Sequence, residues 1–185
     1  EAEAGTGQEE RGLAEAEFRR ALELQIRIFG EDDLATNDIL MDLAMSVSAQ
    51  SRHDEAEALL NRAASIVEKS PKASDRARLT AYRAFVAANK RDYDAALTQA
   101  RASTVQWRDI VARGQSLGGV PGMPSAGGSA EADAALAMAL NLEASMLLRN
   151  GDVTSAFASV GEAMLGIKKA EGEPRWWEAD ILMTL

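Results

Sequence analysis

Residues 54–63 read Asp54-Glu55-Ala56-Glu57-Ala58-Leu59-Leu60-Asn61-Arg62-Ala63, and within them Ala56, Leu60 and Ala63 form a small-large-small triad. Spacings of four and three place all three side chains on one face of a helix, whose period is 3.6 residues. A triad of the same spacing stands earlier in the chain at Ala14, Phe18 and Ala21. Neighbouring text repeats with it, Glu15-Ala16-Glu17 and Arg20-Ala21 answering Glu57-Ala58 and Arg62-Ala63. A third copy, Ala96, Ala100 and Ser103, follows at nearly the same interval, and a fourth, Ala156, Val160 and Ala163, after a longer one. A recurrence of this kind, with a period of roughly 40 residues, is the mark of a stack of supersecondary units.

Each later triad is preceded by a helix with a small residue of its own. Ala44, Ala84 and Ala144 stand at one constant remove before Ala56, Ala96 and Ala156. Helices joined by a tight turn reach an interaxial distance of about 8 to 10 Å when small side chains stand at the crossing. One alanine in each member of a hairpin meets that need. The expected architecture is all-α, a right-handed solenoid of stacked antiparallel helix hairpins.

Punctuation divides the chain to match. Leu13, Phe18, Leu22 and Ile26 share a helical face that ends at Gly30, and the acids Glu31-Asp32-Asp33 sit where a following helix presents unpaired amide donors. These three acids have no second acidic cluster near them, so they read as a cap rather than a metal site. Apolar recurrences then predict helices over 34–50, 54–69, 74–89, 93–113, 130–149 and 153–170, with Ser70-Pro71 and Gly151-Asp152 as breaks. The segments are a flexible tail at 1–8, the second helix of repeat one at 9–30, repeat two at 34–70, repeat three at 74–113 and repeat four at 130–171. Residues 174–185 begin a further or capping helix. Between repeats three and four, 114–129 holds five glycines after Gly114, from Gly118 to Gly128, together with Pro121 and Pro124. This composition reads as a mobile loop, and its length accounts for the longer last interval. No run alternates as a strand would.

Composition excludes several functions. With 20 basic and 29 acidic side chains the net charge is −9, which repels phosphate backbones and anionic lipid heads, so neither nucleic acid nor a membrane is an expected partner. No window approaches the roughly 20 apolar residues of a membrane span. There is no cysteine and one histidine, His53, which leaves thiol catalysis, disulfides and cysteine or multi-histidine zinc sites without ligands. Hydrolysis requires a nucleophile beside a base, or paired carboxylates in a cleft, and a lone histidine in a turn provides neither. The glycine-rich stretch lacks the lysine of a phosphate-binding loop. The chain is read as a non-enzyme without cofactor, in a cytoplasmic setting.

Gly30-Glu31-Asp32, Leu40, Asp42-Leu43-Ala44, Gln50, Arg52, Asp54-Glu55-Ala56-Glu57, Leu60 and Arg62-Ala63 together resemble the tetratricopeptide repeat family, in the 42-residue variety of kinesin light chains and related bacterial proteins. The third and fourth repeats keep Ala84, Tyr93, Ala96, Ala144, Gly151, Ala156 and Ala163. Asp33-Leu34 replaces the usual histidine-proline of that family, Ser51 and Arg91 stand where it has a turn glycine, and the long loop is no feature of it. Repeat one lacks a recognisable first helix, which implies a chain cut from a longer solenoid.

The resemblance implies that first helices line a concave groove for a partner peptide or protein segment. Carried over by position, the groove residues are Asp38, Met41, Met45 and Ser48, then Arg78, Ala81, Phe85 and Asn89, then Met138, Asn141, Ser145 and Arg149. Methionine and phenylalanine offer adaptable apolar contact, while asparagine and arginine hydrogen-bond an extended backbone or pair with acids. No lysine-asparagine clamp for a terminal carboxylate is present. His53 takes the aromatic place in the inter-helix turn that Tyr93 takes one repeat later, and it reads as packing; Trp107 lies on the extended helix, and Trp176 and Trp177 read as packing against a following repeat in preference to anchors for a partner. The first functional expectation is a protein-binding scaffold. The second is a sensor or substrate-docking arm of a larger protein, such as a caspase-like (CHAT-type) protease or a peptide-responsive transcription regulator, so that further domains of the same chain are also candidate partners.

Overall fold

A computed structural model describes residues 2–114 and 128–169, with side chains over 12–114 and 130–167. Among them are seven helices and no strand: α1 (Ala2–Phe29), α2 (Leu34–Ser48), α3 (His53–Val67), α4 (Ala73–Asn89), α5 (Tyr93–Ala112), α6 (Gly128–Arg149) and α7 (Val153–Lys169). Each helix packs on the next, so α2–α3, α4–α5 and α6–α7 are hairpins and α1 stands as a second helix ahead of them. The molecule is an all-α solenoid.

The alanines at the crossings behave as the steric argument requires. Ala44, Ala56, Ala84, Ala96 and Ala144 are wholly buried, and Ala156 is nearly so. The turn within each hairpin is built alike. The amide N–H groups of Arg52, Asp92 and Asp152 donate to the carbonyls of Val47, Ala87 and Leu147, which lie five residues back. The residue just before each donor, Ser51, Arg91 or Gly151, takes a left-handed φ of 64°, 65° or 79°. That combination is a Schellman closure, which satisfies orphan carbonyls at a helix end and favours glycine at the left-handed position. The second helices α5 and α7 then start on aspartate caps. Asp92 accepts from the Ala95 N–H at 3.1 Å, and Asp152 from the Ser155 N–H at 3.1 Å. The cap expected in the acidic run before α2 is Asp33, which accepts from the Ala35 N–H at 2.8 Å.

Three expectations change. The stretch expected as a flexible tail is helical from Ala2, since alanine, glutamate and glutamine there are good helix formers. Leu13 and Ala14, expected on a packed face, are exposed. The counterparts of Ala14 in later repeats press against the first helix of their own hairpin, and no described helix lies on that side of α1; its buried face is instead Glu15, Leu22 and the partly buried Phe18 and Ile26 against α2. Finally, Gly128 and Ser129 belong to α6. The rest of the expected loop, 115–127, and the expected terminal helix with Trp176 and Trp177 lie outside the described residues.

The order of helices gives the stack an inner and an outer wall. The first helices approach one another closely, α2 to α4 and α4 to α6. Second helices stand apart and meet through long side chains, Arg19 of α1 reaching Glu55 of α3 and Arg108 of α5 reaching Glu162 of α7, each at 2.6 Å. Close approach on one side and separation on the other puts α2, α4 and α6 on the inside of the curve.

Candidate functional site

The inner wall is joined by three polar links that run along one face of α4. Arg78 meets Asp38 of α2 at 2.9 Å, the Tyr82 hydroxyl donates to Asp42 at 2.5 Å, and the Asn89 amide donates to the Ser48 hydroxyl at 3.1 Å. Burial, followed by the bond to Asp42, pushes the Tyr82 phenol well above its ordinary range, so it stays a donor at any physiological pH. Ser48 is also 3.4 Å from the His53 ring at the head of α3. At the far end of the wall the Arg149 guanidinium lies 5.5 Å from the centre of the Tyr93 ring, a cation–π contact that joins α6 to the head of α5.

Against this geometry the expected groove residues divide. Met41 is fully buried and belongs to the core with Leu40 and Leu43, which corrects its assignment to the groove. Ser48 and Asn141 are also buried. Asp38, Met45, Arg78, Ala81 and Ser145 are half-buried, and Ser145 donates to the Asn141 carbonyl at 3.0 Å. Phe85, Asn89, Met138 and Arg149 are exposed. On α6 the exposed positions among the described side chains are Glu131, Met138, Leu148 and Arg149, so that helix opens to solvent along the strip expected to meet a partner. On α4, Phe85 and Asn89 open in the same way, one turn apart.

The wall thus exposes Phe85 of α4 and Met138 of α6, with Met45 of α2 partly open and hydrogen-bonding heads at Asn89 and Arg149. Phe85 is 40% exposed and Met138 46%. At the other end of α2 and α4, Asp38 and Arg78 line a cleft of about 300 Å³ with Lys72, Asp75 and the edge of Trp107. Sequence reasoning missed Lys72 and Asp75, because they sit in the turn before α4 and at its first positions and not on a repeating face. It also missed the Tyr82–Asp42 link. The signal available for that pair was their separation by 40 residues, about one repeat.

Residues 7–69 match the family model described as tetratricopeptide repeat. This segment carries tetratricopeptide repeats. The matched segment spans most of α1 and the whole α2–α3 hairpin, and α4–α5 and α6–α7 extend the stack with the same turn closure and buried alanines. No curated protein matches the chain. Tetratricopeptide repeats are in general non-catalytic and mediate protein–protein interaction. No helix among the described residues is long and apolar enough to cross a membrane, and no group of three or more acidic or histidine side chains there is placed to hold a metal ion.

Proposed function

We propose that the inner wall of α2, α4 and α6 binds an extended segment of a partner protein. The observation that carries this reading is the exposure of the apolar side chains Phe85 on α4 and Met138 on α6, two of the three helices of the inner wall. Apolar side chains of the segment seat on Phe85, Met138 and Met45. Asn89 and Arg149 take backbone carbonyls or a carboxylate, Arg149 in the two-pronged manner of a guanidinium. Arg78, already beside Asp38, contributes less, since its charge is balanced.

The test is a peptide-library screen of the full chain against a variant with Arg78, Asn89 and Arg149 all changed to alanine, with Phe85→Ala run in parallel. All four side chains are half-buried or exposed, so folding should persist. Loss of roughly tenfold or more in affinity for enriched peptides is expected from both, since few contacts dominate such sites. Equal enrichment by wild type and both variants would remove the inner wall from the account.

A further inference from the structure

We infer that the cleft at the head of α4 takes a carboxylate of the partner segment, a step that presupposes the inner wall as the binding face and adds what the segment must carry. Ser74 points to a ligand there. It lines the cleft and is only 8% exposed, yet its hydroxyl has no hydrogen-bond partner among the described residues. Buried hydroxyls are nearly always paired, so this one is left for a group that arrives from outside. The backbone beside it is also open. α4 begins on Lys72 with no side-chain cap, whereas α2 and α5 begin on aspartates that accept from their first turns. The N–H groups of Ala73 and Ser74 therefore have no acceptor among the described residues, and they stand at the positive end of the helix. The Lys72 side chain lines the same cleft and has no ion-pair partner among those residues.

The acids of the cleft are already engaged. Arg78 meets Asp38 at 2.9 Å, and Asp75 accepts from the Ser70 hydroxyl, which itself accepts from the Lys72 N–H at 3.1 Å. Neither acid bonds the open amides. Their two charges at the rim oppose a dianion, so the site suits a singly charged carboxylate better than a phosphate. Leu34, 37% exposed, and the edge of Trp107 supply an apolar wall for the methylenes of a glutamate. Ser74, Arg78, Ala81 and Phe85 recur at helical spacing on one face of α4. From Ser74 to Phe85 the helix rises about 16 Å, which an extended chain covers in about five residues. The segment should thus place its carboxylate about five residues from the apolar side chain that seats on Phe85.

Titration of the full chain with defined peptides, followed by NMR at the amides of Ala73 and Ser74, tests this. The probes are capped hexapeptides of alanine with leucine at one end and glutamate at the other, in both orders, together with their glutamine counterparts. A further hexapeptide carries leucine first, no acidic side chain and a free carboxyl terminus. At least one glutamate peptide should shift both amides saturably, with its glutamine counterpart at least about tenfold weaker, as expected for charge-assisted bonds. Lys72→Ala and Ser74→Ala should each weaken that peptide by about fivefold or more and leave the glutamine peptide unchanged. Neither side chain has a partner to lose, so both variants should fold. Equal shifts from the free-terminus peptide would assign the same cleft to a chain end. Absence of shifts at Ala73 and Ser74 with every peptide would overturn the cleft, as would inorganic phosphate acting at lower concentration than any of them. Binding that falls in Phe85→Ala but ignores Lys72→Ala and Ser74→Ala would overturn the cleft and leave the inner wall as the binding face.

Discussion

Ser51 and Arg91 hold a backbone conformation that their side chains oppose. Both have φ near 65°, where a Cβ crowds the adjoining carbonyl at a cost of about 1 to 2 kcal/mol, and the equivalent residue of the last hairpin is Gly151. The Schellman closure requires that φ regardless of what residue stands there. Ser51→Gly and Arg91→Gly should each stabilise the chain by about 0.5 to 1 kcal/mol, the relief being partly offset by the greater freedom of glycine when unfolded. Thermal and denaturant melting of the single and double variants checks this, with near-additive gains expected because the two turns are distinct. A fall in stability on either substitution would mean that the side chain contributes more than its backbone strain removes. These positions were legible in advance: the family turn glycine falls on Ser51 and Arg91 once the repeats are aligned. Depth of burial was less legible. Met41 and Met45 sit one turn apart on the same face of α2, yet one is fully buried and the other half-open, because periodicity fixes the direction of a side chain and not what lies beyond it.

At the scale of the element, α1 is held to the first hairpin by ionic contacts as well as by its apolar face. Glu15 accepts from Arg19 at 2.7 Å, from Arg52 at 2.8 Å and from Gln50 at 2.7 Å, and both arginines also bond Glu55 of α3. Burial disfavours the charge on Glu15, but the bonds from Arg19, Arg52 and Gln50 outweigh it and bring the carboxyl from its ordinary 4.5 to about 2. Arg19, with a smaller part from Arg52, also holds Glu55 below the carboxylate range. An acid whose pKa is lower folded than unfolded stabilises the fold above its unfolded pKa and loses that contribution as pH falls through the folded one. Melting temperature should therefore be steady from pH 7 to about 5 and drop between about 4.5 and 2. Glu15→Gln should cost about 1 to 2 kcal/mol at pH 7, a figure held down by the half-exposed arginines, and should flatten the acid limb. An unchanged acid limb would show that other groups set it. None of this network follows from the apolar pattern. That pattern points to Ala14 on α1, whereas its neighbour Glu15 is the side chain turned inside.

The whole molecule is a series of local contacts, each helix resting on its neighbours in sequence, so its stability is close to a sum over hairpins and their interfaces. That view makes a sharp statement about 114–129. The two shorter connections that lead from a second helix to the next first helix are Gly30–Asp33, between α1 and α2, and Glu68–Lys72, between α3 and α4. Both are enough to turn the chain, and α5 packs on α6 as directly as α3 packs on α4. Removing 118–127 leaves Arg113 to Leu117 between the end of α5 and Gly128, a connection as long as the one between α3 and α4. Closure entropy changes only slowly with the length of a connection, so the melting temperature should stay within a few degrees and the helical signal of the stack should be kept. Circular dichroism with thermal melting measures both quantities. A large fall in either would mean that the excised residues are bound to the stack and contribute to it, and the longer interval between the third and fourth triads would then reflect a built part of the solenoid and not a spacer.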